Sequence, residues 1–431
     1  MLDIQFIRDN PELVEEKAKQ KGYEVDVNAL LKVDEERRHL LVELEALRAA
    51  RNDHAASLRQ GKPSAEAIEK GKELKEQATL LEQKLAPLEQ DVITLLKAIP
   101  NMPLDTVPVG SSEDENVVSK VVGEPTKFAF TPKNHAQIAE AKGWLDKERA
   151  AKVAGSRFAY LKGDLVLLDW AMNMFALTKL TDQSFVAGLI KDAGLSLSDK
   201  PFVPVQPPAV AKTDVYDATG RLNKEEQTYK LAEDDLWLNA SAEHVLAPMY
   251  LDEILPEDAL PIRYVGYTTA FRREAGTYGK DMEGFLRLHQ FNKLEMESFN
   301  TPDTSLEEHK LMVAIQEYFM AALKLPYRVV DKCTADIGGP NASGIDIDVW
   351  LPGQNKYRET HTADLMTDYQ TRRMQTKLRR KDGSLVFAHT NDATALSQRP
   401  LIAIIENYQT EEGDVIVPEV LRPFMGGKER I

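Results

Sequence analysis

The chain has 431 residues, 43% hydrophobic and 29% charged, with a formal net charge of -15 and one cysteine, Cys333. That length can bury a sizeable core, in two domains, and the acidic balance excludes indiscriminate attraction to polyanions, so any nucleic acid must be met by local basic patches. A lone cysteine excludes a disulfide framework and any multi-cysteine zinc site, and fits a reducing, cytoplasmic setting.

The N-terminus, MLDIQFIRDNPELVEEKAKQ, lacks the basic start and unbroken apolar stretch of a signal peptide. No apolar run reaches the roughly 18 residues that would span a membrane. Residues 1–26 predict a short strand, then a helix opening at Asn10-Pro11 with Glu12, Glu15 and Glu16 in its first turns, where the helix dipole favours acids. A helical arm follows. Val33, Arg37, Leu40, Leu44, Leu47, Arg51, His54 and Leu58 step by alternating four and three residues, Gly61-Lys62-Pro63-Ser64 breaks the helix, and Leu74, Ala78, Leu81, Leu85, Leu88, Val92 and Leu95 form a returning seam. Such a hairpin, roughly 50 Å long at 1.5 Å per residue, must project, because each helix has one narrow apolar stripe and its partner uses it up. A dimerisation or spacer coiled coil has this pattern too. The distal third, however, carries Arg48, Arg51, Arg59, Lys62, Lys70 and Lys72 against Asp53, Glu66 and Glu69, which suits gripping a phosphate backbone.

Pro100, Pro103 and Pro108, then GSSEDEN, mark a linker, dividing the chain into 1–110 and 111–431. Helices are expected over 134–153, 166–181, 306–323 and 368–379, with a Pro-rich strand ending at Gln206-Pro207-Pro208 and further strands between them. The class is α+β, built on a largely antiparallel sheet.

The stretch TTAFRREAGTYGKDMEGFLRLHQFNKLE reads as an antiparallel hairpin, with strands 264–274 and 285–295 around a loop holding Gly276, Gly279, Asp281 and Gly284. Period two puts Arg272 and Glu274 on one face of the first strand, and Arg287, His289, Phe291 and Glu295 on one face of the second. No GxxxxGK[ST] occurs, nor GxGxxG after a strand, so a nucleotide would be held by side chains. Arg272 can donate two parallel hydrogen bonds to a phosphate or carboxylate, Phe291 can stack on a base, and Glu274 can accept from an exocyclic amine. ENYQ (406–409) and VPEVLRPFMGG (417–427) bring a second arginine, Arg422.

FRREAG (271–276) with HQFNKLE (289–295), ENYQ with VPEVLRPFMGG, and GSRFAYLKGDLVLLDWAM (155–172) resemble, in order, the signatures of seryl-tRNA synthetases, a class II aminoacyl-tRNA synthetase family. YDATGRLNKEE (216–226) is similar to the family's TGQLPK segment, and the paired helices to its tRNA-binding arm. The resemblance covers nearly the whole chain. It implies a ligase that activates L-serine with ATP and transfers it to the 3′-hydroxyl of tRNA(Ser), with tRNA(Sec) as an open extension, in a cytoplasmic homodimer without membrane contact. It further implies that Arg272 contacts the α-phosphate and the substrate carboxylate, that Glu274 meets the adenine amino group, and that Phe291 and Arg422 sandwich the adenine. Arg273, Thr360 and His361 would complete the ATP site. Glu359 would bind Mg2+, with Thr362 at the neighbouring hydroxyl position; no zinc is expected. Ser241, Ala242, Glu243, Glu295 and Ala393 would form the serine pocket, and Lys280 would lie near RNA. His289 is expected to be structural.

The sequence departs from the family's pattern in that pocket. After Glu359 the usual Ser-Ser-Cys-Ser-Asn run is replaced by Thr360-His361-Thr362-Ala363-Asp364-Leu365, and Asn-Gly-Ser becomes Asn391-Asp392-Ala393. Ala393 stands where a serine-reading hydroxyl is expected, so Thr394 or Asp392 would have to substitute. Two other readings are an amino-acid:carrier-protein ligase, against which the arm argues, and a silent RNA-binding paralogue.

Overall fold

A helix with one narrow apolar stripe is stable in water only when a second stripe covers it. In the computed structural model, which describes residues 1–58, 64–222, 227–274 and 283–431, this is how the arm is made. Helix α1 (Val27–Ser57) lies against α2 (Ala65–Ala98), and Leu44, Ala78 and Leu85 are buried between them with Leu40, Leu41 and Leu81 alongside. Both seams follow the expected spacing. Ser64 opens α2 by accepting from Ala67 N at 3.2 Å, and His54 Nε2 lies 2.7 Å from Ala67 O across the pair. The helix break at 61–63, like Arg59 and Lys62, lies outside the described residues.

The expected N-terminal strand is a helix, Ile4–Asp9, followed by Pro11–Gln20. Asp3 caps it by accepting from Gln5 N at 2.7 Å, Ile7 is buried, and Arg8 Nη2 reaches the fully buried Asp34 at 2.6 Å. Arg37 and Arg38 join the same carboxylate at 2.8 and 3.4 Å. Helix capping and this ion cluster override the strand-like alternation.

The unit containing the arm runs from Met1 to Met102, and the second from Pro103 to Ile431. Residues just after Met102 belong to the second: Leu104 N donates to Ala342 O and Gly110 N to Thr334 Oγ1.

The second unit is built on an eight-stranded sheet. Its strands are β1 (Val117–Val122), β2 (Val203–Val205), β3 (Ile262–Phe271), β4 (Gln290–Asn300), β5 (Tyr327–Asp331), β6 (Ser343–Leu351), β7 (Lys356–Thr367) and β8 (His389–Ser397). Their order is β1-β5-β6-β7-β8-β4-β3-β2, antiparallel throughout except for β2, which pairs parallel with β3. Helices α3 (Asp164–Leu180), α4 (Ser305–Ala322) and α5 (Gln398–Asn407) share one apolar core with Leu294, Met296, Ile347, Ala363, Ala393 and Leu396 of the sheet. Alternation then sends the intervening side chains to the opposite face.

Two expected helices are shorter. The one at 134–153 is divided into His135–Ala141 and Lys147–Ala154 where Gly143 takes a φ of 64°, a left-handed turn that an L side chain resists. The one at 368–379 is Tyr369–Met374, stopped by Gln375 at φ 55°, after which Lys377–Arg379 is a strand. Among the described residues no helix is long and apolar enough to cross a membrane.

Candidate active site

Strands β3 and β4 pair in the hairpin register, from Ile262 opposite Phe299 to Phe271 opposite Gln290. Residues 283–289 are not strand, and the arginine side of the hairpin is extended by direct bonds instead: Arg272 N donates to His289 O at 2.9 Å and His289 Nδ1 to Arg272 O at 2.8 Å. His289 therefore holds backbone, as expected. Glu274 leaves the strand at φ 51°, and Arg287 Nη1 binds its Oε2 at 2.6 Å. Residues 275–282, which include Ala275, Gly276, Gly279, Lys280 and Asp281, lie outside the described residues, as do 223–226.

The open face of β4 carries Phe291, Lys293, Glu295 and Glu297 in succession. The Arg272 guanidinium carbon lies 5.1 Å from the Phe291 ring centroid, and Arg272 Nε donates to Ala240 O at 3.2 Å. That carbonyl is aimed by the buried His244, whose Nδ1 accepts from Ala240 N at 3.1 Å. Burial, then Arg221, Arg272 and Lys293, push the His244 pKa well down, so the ring is neutral and free to accept. Arg273 lies over Tyr229, 5.6 Å from its centroid. A cavity of about 160 Å³ beside Phe291 is lined by Phe158, Asp169, Trp170 and Gln398.

Ser241, Ala242 and Glu243 are buried in a turn laid over the same face. The turn comes close because β3 has Gly266 there: a Cβ would stand 2.8 Å from Leu246 Cδ1. Ser241 Oγ donates to Glu295 Oε2 at 2.6 Å, and Lys293 Nζ lies 2.5 Å from that oxygen. Glu295 Oε1 is buried without a hydrogen-bond partner. Glu243 Oε1 accepts from Arg221 Nε at 2.8 Å and from Gln370 Nε2 at 2.9 Å.

A β-bulge arranges the third group. Ile347 pairs with His361 but Asp348 pairs with Glu359, so Thr360 is the extra residue of β7. The extra residue reverses the alternation, bringing Glu359 onto the same face as Thr362 and its cross-strand partner Asp346. Thr360 and His361 turn inward instead: Thr360 Oγ1 donates to Ile347 O at 3.0 Å, and His361 Nε2 donates to Ala395 O at 3.2 Å. Burial, chiefly, lowers the His361 pKa to about 3. Both are held among backbone groups, not displayed in the open site.

Glu359 is ion-paired to Arg399, whose Nη1 stands 3.0 Å from Oε1 and also donates to Glu359 O at 2.8 Å. Crowding by neighbouring protein would raise the pKa of the half-exposed Glu359, but Arg399, Lys332 and Arg272 together hold it at about 2. Arg399 thus belongs to the cluster of Glu359, Arg272 and Glu274. Arg422 does not join it: its Nε donates to Val417 O at 3.1 Å and its Nη1 binds Glu429 at 3.0 Å. Among the described residues it is Arg272, not Arg422, that makes the ring–cation contact with Phe291.

Ala393 departs from expectation more sharply. It lies in the apolar core, opposite Met296 and Ala363, while Asp392 and Thr394 face the site across from Glu297 and Glu295.

Residues 1–103 match the seryl-tRNA synthetase N-terminal domain, and 227–408 match the tRNA synthetase class II core domain (G, H, P, S and T). The serine–tRNA ligase of Thermodesulfovibrio yellowstonii is 42% identical over 99% of both chains. The chain belongs to the seryl-tRNA synthetase family. Its fold agrees: the seryl-tRNA synthetase of Pyrococcus horikoshii, solved with ATP, superposes with a TM-score of 0.87 at 35% identity, covering 100% of this chain and 99% of that one. The cytoplasmic serine–tRNA ligase of Naegleria fowleri, solved with AMP, gives 0.84 at 29% identity, covering 100% and 98%. A seryl-tRNA synthetase core explains why Arg272, Phe291, Glu295 and Glu359 converge on one sheet face. Lys293 and Arg221 lie within HQFNKLE and YDATGRLNKEE, but the resemblance implies no role for them there, and Arg399 lies in no quoted string; the signal for Arg399 was its place where an alternating strand passes into a helix.

Proposed function

We propose that the chain activates L-serine with ATP to seryl-adenylate and pyrophosphate, then transfers the seryl group to the 3′-hydroxyl of the terminal adenosine of tRNA(Ser). The observation that carries the reading is the union, on one sheet face, of the Arg272–Phe291 pair with the Ser241–Glu295 contact. Phe291 stacks on adenine, and Glu274, steadied by Arg287, accepts from its amino group. Arg272 draws the α-phosphate and the serine carboxylate together, so that the carboxylate oxygen is aligned with phosphorus. Arg399, not Arg422, supplies the second cation to the phosphates. Glu295 takes the substrate ammonium, for which its Oε1 lacks a partner at present. Neither transfer requires a protein nucleophile; positioning and fixed positive charge stabilise the transition states.

The donor set at Glu359, Thr362 and Asp346 is all oxygen, with Glu359 held ionised, and this fits Mg2+. These oxygens would hold Mg2+ entering with ATP, and it would supply charge neutralisation for the departure of pyrophosphate. Leu167, Trp170 and Met174 form a stripe on α3 that is 43, 57 and 50% exposed, and a second copy of the chain would cover it, giving a homodimer. The arm grips tRNA, and the enzyme works in the cytoplasm.

Serine-dependent ATP–pyrophosphate exchange, repeated with threonine, alanine and glycine, tests the reading. Exchange is expected with serine; none with any amino acid would overturn it. Removing Val33 to Leu95 is expected to abolish aminoacylation and leave exchange largely intact.

A further inference from the structure

Asp364 and Asp392 stand directly opposite each other on β7 and β8, and Asp392 stands directly opposite Glu297 on β4. Carboxylates side by side across a sheet repel unless a cation or a proton intervenes. Arg221 intervenes. Its Nη2 lies 3.2 Å from Asp364 Oδ2 and 3.6 Å from Asp392 Oδ1, while its Nε binds Glu243 at 2.8 Å. Burial opposes the charge on Arg221, but Glu243, Asp392 and Asp364 more than offset it and raise its pKa.

One guanidinium does not satisfy this many acids. Asp392 Oδ1, Asp364 Oδ1, both oxygens of Glu297 and Oε1 of Glu295 are buried with no hydrogen-bond partner. A buried acceptor left without a donor is costly, so the unpartnered oxygens of Asp392, Asp364 and Glu295 call for a ligand rich in donors. An ammonium with a short hydroxyl-bearing side chain is such a ligand. The charged groups also fall where the chain leaves the family's strings: Arg221 takes the glutamine place of TGQL, Asp364 lies in the altered run after Glu359, and Asp392 lies in the altered Asn-Gly-Ser. The three departures form one ion cluster.

We propose that Asp392, held by Arg221, accepts the hydrogen bond of the substrate's side-chain hydroxyl and sets the amino-acid selectivity of this pocket. Ala393 cannot do so from inside the core. Asp392 can, because it faces the same side of the sheet as Glu295, directly opposite Glu297 and within reach of Arg221. An amino acid lacking the hydroxyl would leave the Asp392 oxygen unpaired, and that penalty is the basis of rejection.

The inference rests on the serine reading above, and one set of exchange assays separates the two. Wild-type enzyme, Asp392→Ala and Asp392→Asn are compared with serine and with alanine at saturating ATP. The ratio of kcat/KM for serine over alanine is expected to fall at least tenfold in Asp392→Ala and severalfold in Asp392→Asn, through KM for the amino acid, with KM for ATP unchanged. Asp392→Asn keeps the shape of the side chain and decides the matter if the alanine variant does not fold. Serine and alanine falling together would mean that Asp392 only balances Arg221, and would overturn the proposal. Wild-type enzyme that exchanges with neither amino acid would overturn the serine reading and the inference with it.

Discussion

Arg399 Nη1 and Glu359 Oε1 are paired at 3.0 Å, at the point where β8 passes into α5 beside β7. Arg422 is engaged by Val417 O and Glu429 instead. Arg399→Ala is therefore expected to lower serine-dependent exchange by about 10²–10³, the usual effect of removing one preorganised donor from developing negative charge. Arg422→Ala should cost far less. Parallel kcat measurements on the two variants check this, and equal losses would return Arg422 to the site.

Glu297 is buried, with Asp392, Glu243 and Glu295 adding to the effect of burial and Arg221 opposing it, so its pKa lies well above that of a free glutamate. The folded chain holds a proton that the unfolded chain releases. Stability is then lost as pH rises from the unfolded value, about 4.3, toward the raised folded one. Glu297→Gln removes this loss. Its melting temperature should exceed that of the wild type by a margin that widens between about pH 5 and pH 8, followed by thermal melts at several pH values. A margin that stays constant or reverses would show that the carboxyl is ionised in the fold.

Trp170 is the most exposed of the three apolar residues on α3. Trp170→Glu is expected to halve the mass measured by light scattering, since a buried charge without a partner is strongly unfavourable at an interface. A wild-type chain of monomer mass would remove the dimer from the account.

Leu44 is buried against Ala78 and Leu85 in the arm. Leu44→Ala should destabilise the helix pair by about 2–5 kcal/mol. Faster amide exchange confined to α1 and α2, a higher KM for tRNA and unchanged pyrophosphate exchange are the expected signs.

The parts of the molecule set by periodicity were legible in advance. Seven-residue spacing placed the arm seam at Leu44, Ala78 and Leu85, and period two placed Phe291 and Glu295 on one face of β4. What escaped was decided by single residues that break a period. The extra Thr360 in β7 brings Glu359 and Thr362 to one side and turns His361 inward. Gly143 and Gln375 end helices whose composition would let them continue. Arg422 sits in a recognisable string and Arg399 does not, yet proximity to such a string is not proximity in space. The place of Ala393 in a motif predicts a pocket residue, whereas the face of a side chain is decided by cross-strand pairing.

That pairing gives β8 a double duty. Ala393 closes the apolar core and Asp392, one residue away, faces the substrate side, with the next irregularity at Thr394/Leu396. Sliding the strand by one residue would push a carboxylate into the core and a methyl group into the pocket. New amino-acid preferences can therefore be reached here by exchanging side chains in place, whereas inserting or deleting a single residue would cost the enzyme its fold along with its substrate.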